Sequence, residues 1–143
     1  MPSGRRLVGL VAFVAFLIAT VARGADDPCA RRCAGAGLLG NLLDLSLTAD
    51  ALKLLNGHED PKLKRLLEWR LVAAAAEARR HIDEGATLAS DSAIPNLTDG
   101  VERATAYVAA HDLDSKPPVP SVKSSVSPSA NLLVVRKWLS SQS

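Results

Sequence analysis

The chain has little with which to do chemistry. Two cysteines, three histidines, one methionine and five aromatic residues are spread over 143 positions. The two cysteines, Cys29 and Cys33, sit together in "DDPCARRCAG". A zinc site needs about four ligands at close spacing, or three and a water. His58, His81 and His111 are too scattered to complete one. Covalent haem needs a histidine directly after the second cysteine, and Ala34 stands there. A thioredoxin-like pair has two intervening residues, whereas this pair has three. No small-residue lipoprotein box precedes Cys29. A local disulfide remains, because residues i and i+4 of a helix lie about 6 Å apart, inside the Cα range a disulfide tolerates. Its small loop puts its stabilisation at the low end of ~2–4 kcal/mol. Interchain pairing and a reduced dithiol stay open as alternatives.

Catalytic signatures are missing too. There is no Gly-x-Ser-x-Gly elbow, no phosphate-cradling glycine loop and no pair of acids in an apolar setting. His58, Glu59 and Asp60 fit the start of a helix, where acidic groups suit the dipole. Glu77 and His81 stand at i,i+4 and read as a surface pair, with no third metal ligand in view. His111 ends an apolar stripe as a half-buried residue. Asn96-Leu97-Thr98 matches the glycosylation sequon, which matters only for a eukaryotic source. The expectation is therefore a protein that is not an enzyme, with no catalytic residues, no metal and no cofactor.

What is present begins with an address. Arg5 and Arg6 precede an uncharged apolar run over 7–22, and small residues Ala22 and Gly24 follow. These are the parts of a secretory signal peptide, with the cut expected after Gly24. An uncleaved inner-membrane anchor is the alternative. The run is 16 residues, however, and spanning takes about 20, with a lower limit near 17. Either way the remainder is exported. The Ala/Leu/Arg-heavy composition suggests a bacterium, so exported means periplasmic or secreted.

Removing the leader changes the charge. Arg5, Arg6 and Arg23 are three of the 17 basic residues, which leaves 14 against 15 acidic groups, a net charge of −1. The sequence pI of 8.7 is thus largely the leader's. A near-neutral remainder lacks the clustered Lys/Arg that nucleic-acid binding requires. Phe13 and Phe16 go as well, leaving Trp69, Tyr107 and Trp138.

The 119 remaining residues suffice for one small domain. Residues 25–37 form a segment carrying the cysteine pair, and 38–113 a helical domain. Residues 114–130 are a Pro/Ser-rich linker, unable to bury enough apolar surface to order itself. Residues 131–143 are a short amphipathic segment. In "GLLGNLLDLSLTADALKLLNG", Leu43, Leu45 and Leu47 alternate like a strand, but Leu39, Leu42 and Leu43 suit a helix, which is the expectation. Thr48 is expected as an N-cap and Gly57 as a stop. The clearest element spans 60–84, with Asp60 as N-cap, Pro61 at the first helical position and Gly85 after the end. Leu67, Leu71, Ala74, Ala78 and Ile82 make one stripe, and Leu66, Trp69, Ala73 and Ala76 a second. Two stripes imply two packing partners. A further helix follows from 95, starting near Asn96 or Thr98, with Leu97, Val101, Ala104, Val108 and His111 in line. It matches the first stripe, so the two should pair as an antiparallel hairpin. Asp99 and Arg103 form an i,i+4 ion pair, and Gly100 lets a neighbour come near.

The expected fold is all-α: a small helical hairpin or three-helix bundle after a signal or anchor helix, with a flexible linker and a short C-terminal helix. Leu132, Val135 and Leu139 share a side with Trp138. That segment should dock on the second stripe or on another protein. Trp69, Trp138 and Leu139 are therefore the partner-docking candidates. The expected role is a non-catalytic interaction module with a protein partner in the cell envelope. Membrane contact would come only through residues 7–22, if they are uncleaved. The alternative is a metal-binding or thiol-redox accessory factor of the periplasm.

Overall fold

A computed structural model describes residues 28–55, 60–89, 94–118 and 126–142. The leader, His58, Glu59 and Gly57 lie outside them, and so do the expectations placed there. The described chain folds as four helices, α1 (Pro28–Leu54), α2 (Pro61–Asp83), α3 (Ile94–Ala110) and α4 (Pro128–Ser140), with no strand among the described residues. The all-α expectation holds. α1, α2 and α3 form a three-helix bundle, and the short α4 closes it by packing on α2 and α3.

α1 is one uninterrupted helix of 27 residues. Its leucines and alanines are strong helix formers, and they carry the helix past the point where Thr48 was expected to begin it. Thr48 is instead buried mid-helix. Leu38, Leu42, Leu45, Ala49 and Leu52 recur at spacings of 4, 3, 4 and 3 and are all buried.

α2 begins as its sequence dictates. The Asp60 carboxylate accepts from the backbone N–H of Lys62 and Leu63, each at 3.1 Å, with Pro61 at N1. It ends in a Schellman motif. Gly85 takes a φ of 81°, its N–H donates to Ile82 O, and the N–H of Ala86 donates to His81 O at 2.9 Å. Ala86 is buried beneath the turn. α3 stops the same way without a glycine. Asp112 has a φ of 51°, its N–H donates to Ala109 O, and Leu113 N–H donates to Val108 O. Asp is one of the few residues that tolerate this conformation. At the other end, α3 starts at Ile94, ahead of Asn96 and Thr98. The Thr98 hydroxyl donates to Ile94 O at 2.9 Å, a mid-helix bond and not a cap.

Leu71, Ala74 and Ala78 of α2 and Leu97, Val101, Ala104 and Val108 of α3 lie in one core with the inner leucines of α1. The two stripes do not chiefly face each other. Each of these helices packs on α1 to one side and on α4 to the other. The antiparallel hairpin is α1–α2, with Asp44 level with Arg70 and Gly37 level with His81. α1 offers five buried positions, Leu38, Leu42, Leu45, Ala49 and Leu52, along one side for α2 and α3 to pack on. α2 and α3 still meet through long side chains: the Tyr107 hydroxyl donates to Glu68 Oε1 at 2.8 Å.

α4 belongs to the core. Leu132, Val135 and Leu139 are essentially inaccessible, and Trp138 is partly buried against them. Ser127 caps its start, accepting from Ala130 N–H at 3.2 Å, with Pro128 at N1. Asn131, buried, accepts from Arg79 Nη1 at 3.3 Å. Part of the expected linker is also held in place. Pro118 is buried and its carbonyl accepts from Arg65 Nε at 3.0 Å, while Asp114 Oδ1 accepts from Ser129 N–H at 3.0 Å.

Candidate functional site

Cys29 and Cys33 are both exposed on the first turns of α1 and are not joined in a disulfide. The Cα separation alone made the bond look allowed. On a regular helix, though, both Cα–Cβ bonds tilt toward the N-terminus side by side. Their Cβ atoms are then about 5–6 Å apart, beyond the ~3.5–4.5 Å a disulfide needs.

The titratable groups do not converge. Glu77 does not pair with His81, since its carboxylate accepts from Arg80 Nη2 at 2.6 Å and Nε at 3.0 Å. The His81 ring sits over Gly37, where a Cβ would come within 2.8 Å of Nε2. Its Nδ1 is buried without a hydrogen bond, and its nearest carboxylate oxygen is Glu84 Oε2 at 3.7 Å. His111 is half-buried as expected. It stacks on Tyr107 with ring centroids 3.9 Å apart, and its Nδ1 donates to Tyr107 O at 3.0 Å. No group of three or more His, Cys, Asp or Glu able to hold a metal occurs among the described residues. Arg103 turns away from Asp99. Its Nε lies 2.9 Å from Asp50 Oδ1 and its Nη2 donates to Ser46 Oγ at 2.9 Å, so it ties α3 to α1.

A surface cleft of about 450 Å³ lies where the first turns of α1 meet the segment after α2. Arg32, Gly35, Ala36, Leu39, Thr87, Leu88 and Ala89 line it. The Thr87 carbonyl approaches Gly35 so closely that no Cβ would fit between them. Its walls offer one cation and one hydroxyl but no acid and no general base.

The largest anomaly is apolar. Leu43, Leu47 and Leu54 of α1 and Leu63, Leu66 and Trp69 of α2 all face solvent, with Leu47 at 67% and Leu54 at 80% exposure. They lie on the outward sides of two adjacent antiparallel helices, and the Asp44–Arg70 register sets Leu47 level with Leu66 and Leu67. Large apolar side chains exposed singly are ordinary, but six on two neighbouring helices, each 40–80% exposed, are what an interaction surface presents. Of the sequence candidates, Trp69 lies on this side at 44% exposure. Leu139 does not, because it is core, and Trp138 packs beside it. The second stripe of α2 is thus left open, and α4 docks elsewhere. Sequence reading missed Leu43, Leu47 and Leu54. The signal was present as the alternation of 43, 45 and 47, since a helix with apolar residues on two sides can look locally like a strand.

The chain significantly matches no family model, no curated protein and no solved structure. Among the described residues, no helix is long and apolar enough to cross a membrane.

Proposed function

We propose that the protein is a non-catalytic interaction module of the cell envelope, exported by its leader and docking a protein partner through the outward side of the α1–α2 hairpin. The exposure of Leu43, Leu47, Leu54, Leu63, Leu66 and Trp69 carries this reading. Interface centres favour tryptophan set among apolar neighbours and polar rims. Here Trp69 is flanked by Leu66 and Arg70, with the Arg70–Asp44 pair beside it at 2.7 Å. A photo-crosslinking residue placed at Trp69 in the exporting host should yield an adduct to one protein of defined mass. The same residue at Glu77, exposed but polar, should not. Adducts to lipid alone, or none, would defeat the reading.

A thiol-redox accessory role is the second reading. It draws on the exposure of both Cys29 and Cys33 on adjacent turns of one helix. A thiol count with and without reductant on the isolated protein decides it, since a stable count in both conditions removes it.

A further inference from the structure

We infer that a second copy of this chain covers the outward side of α1, in an antiparallel helix pair about a two-fold axis between residues 41 and 42. This deepens the reading above and rests on it. α1's share of the apolar side goes to the second copy, while Leu66 and Trp69 remain for the partner.

The inner seam of α1 is 38, 42, 45, 49 and 52. Two positions back, about 200° round the helix, runs a second seam with the same rhythm: Cys29, Cys33, Ala36, Gly40, Leu43, Leu47, Asp50 and Leu54. All are exposed except Asp50, which is partly buried. A 4-3-4-3 repeat is the seam of a supercoiled helix pair. A helix with an apolar seam on two opposite sides has a second side left to cover once the first is in the core.

The occupant follows from the order of sizes along that seam. Its first half is small: Cys29, Cys33, Ala36 and Gly40. Its second half carries the large residues Leu43, Leu47 and Leu54. A parallel pair would stack leucine on leucine at one end and leave a gap at the other. An antiparallel pair sets Leu43 against Gly40, Leu47 against Ala36, Leu54 against Cys29 and Asp50 against Cys33. One axis satisfies all four pairings at once, and each recurs on the other side of it, as an isologous contact requires. Close packing rewards this matching of large to small. It is a self-complementarity that a foreign partner would have no need of. The one charge on the seam, Asp50, is already held by Arg103 of its own chain at 2.9 Å, so it enters the interface neutralised, with Arg32 of the other copy nearby. α1 is about 40 Å long at ~1.5 Å per residue, and Gly40 has open space where a Cβ would be, so another backbone can approach there.

Sedimentation equilibrium of the chain isolated from its exporting host should give twice its intact mass. Leu47→Glu should weaken the dimer by at least about tenfold, because the carboxylate would be buried without a partner. Leu47 is two-thirds exposed, so the fold should persist by circular dichroism. Gly40→Glu is the second variant: it replaces glycine by a better helix former and should still break the dimer. In a Cys29→Ser, Cys33→Ser background, the pair Ala36→Cys and Leu47→Cys should form an interchain disulfide on oxidation. The native thiols should not, since Cys33 of the two copies would be about 26 Å apart along the axis.

A monomer at every concentration overturns the proposal. If its mass retains residues 1–24, the leader becomes the better occupant. A dimer indifferent to both glutamates, or one readily joined through native cysteines, overturns it equally. A monomer that still crosslinks to a protein at Trp69 would sink the dimer and spare the interaction module. A dimer with no partner at Trp69 would do the reverse.

Discussion

The side chain of Ser46 occupies the space a Cβ on Gly100 would require: its own Cβ would be 2.6 Å away and its Oγ 2.7 Å. α1 and α3 touch there with almost no side chain between them. Both residues are pinned, since Arg103, three residues on from Gly100, donates to the same Ser46 hydroxyl. Gly100→Ala should therefore destabilise the fold, although alanine is the better helix former. Overpacking costs typically about 1–3 kcal/mol, against a propensity gain of about 1. Urea unfolding measures the balance. A more stable variant would show that the helices separate freely at this point.

Tyr107 gives a pH dependence. Burial, and then the hydrogen bond to the Glu68 carboxylate, push its phenol well above the ordinary value of 10.0. A group raised in the folded state stabilises fully below its unfolded value and loses that contribution as pH climbs through the folded one. Stability should hold up to about pH 10 and fall above it. Tyr107→Phe should flatten that alkaline decline while lowering stability near neutrality, where the bond to Glu68 is lost. Unfolding midpoints across the alkaline range, for both proteins, check it.

Leu139 tests whether α4 is part of the domain. Its exposure is 1%, and truncating a buried leucine to alanine costs about 2–5 kcal/mol. Leu139→Ala should lower the thermal midpoint and keep a single unfolding transition. Leu133→Ala, on the same helix but 47% exposed, should change little. Equal, small effects from both would mean that α4 detaches in solution.

The seat of His81 is a third close contact. Gly37→Ala brings a Cβ to 2.8 Å from Nε2, so the ring must leave its place between α1 and α2. Alanine is the better helix former by about 1 kcal/mol and the ring is a side-chain end that can swing aside, so stability should change little while the imidazole resonance shifts in the NMR spectrum. A variant with an unmoved resonance would show that α1 gives way in its stead.

Much of the architecture was written locally. Asp60-Pro61 starts α2 because a carboxylate and a missing N–H both suit a helix's first turn. Gly85 ends it because only a positive φ lets the chain turn there. The stripes of α2 and α3 announced which residues would be inside. The α3 stop was harder to see, because Asp112 fills a position usually given to glycine.

What local pattern left open was partnership. Spacing names a buried face but not the face it meets, so the stripe of α2 met chiefly α1 and α4 rather than α3. Arg103 chose Asp50 over Asp99, because α1 brings a carboxylate and a hydroxyl to it together. The C-terminal segment became core, because the bundle had one side still open and Leu132, Val135 and Leu139 fitted it. The amino-acid order thus determined four helices through side-chain period, and both ends of α2, the stop of α3 and the start of α4 through short-range hydrogen bonding. Only the tertiary structure decided which seams close within one chain and which, on α1 and α2, remain facing outward, since that depends on surfaces distant in sequence competing for the same core.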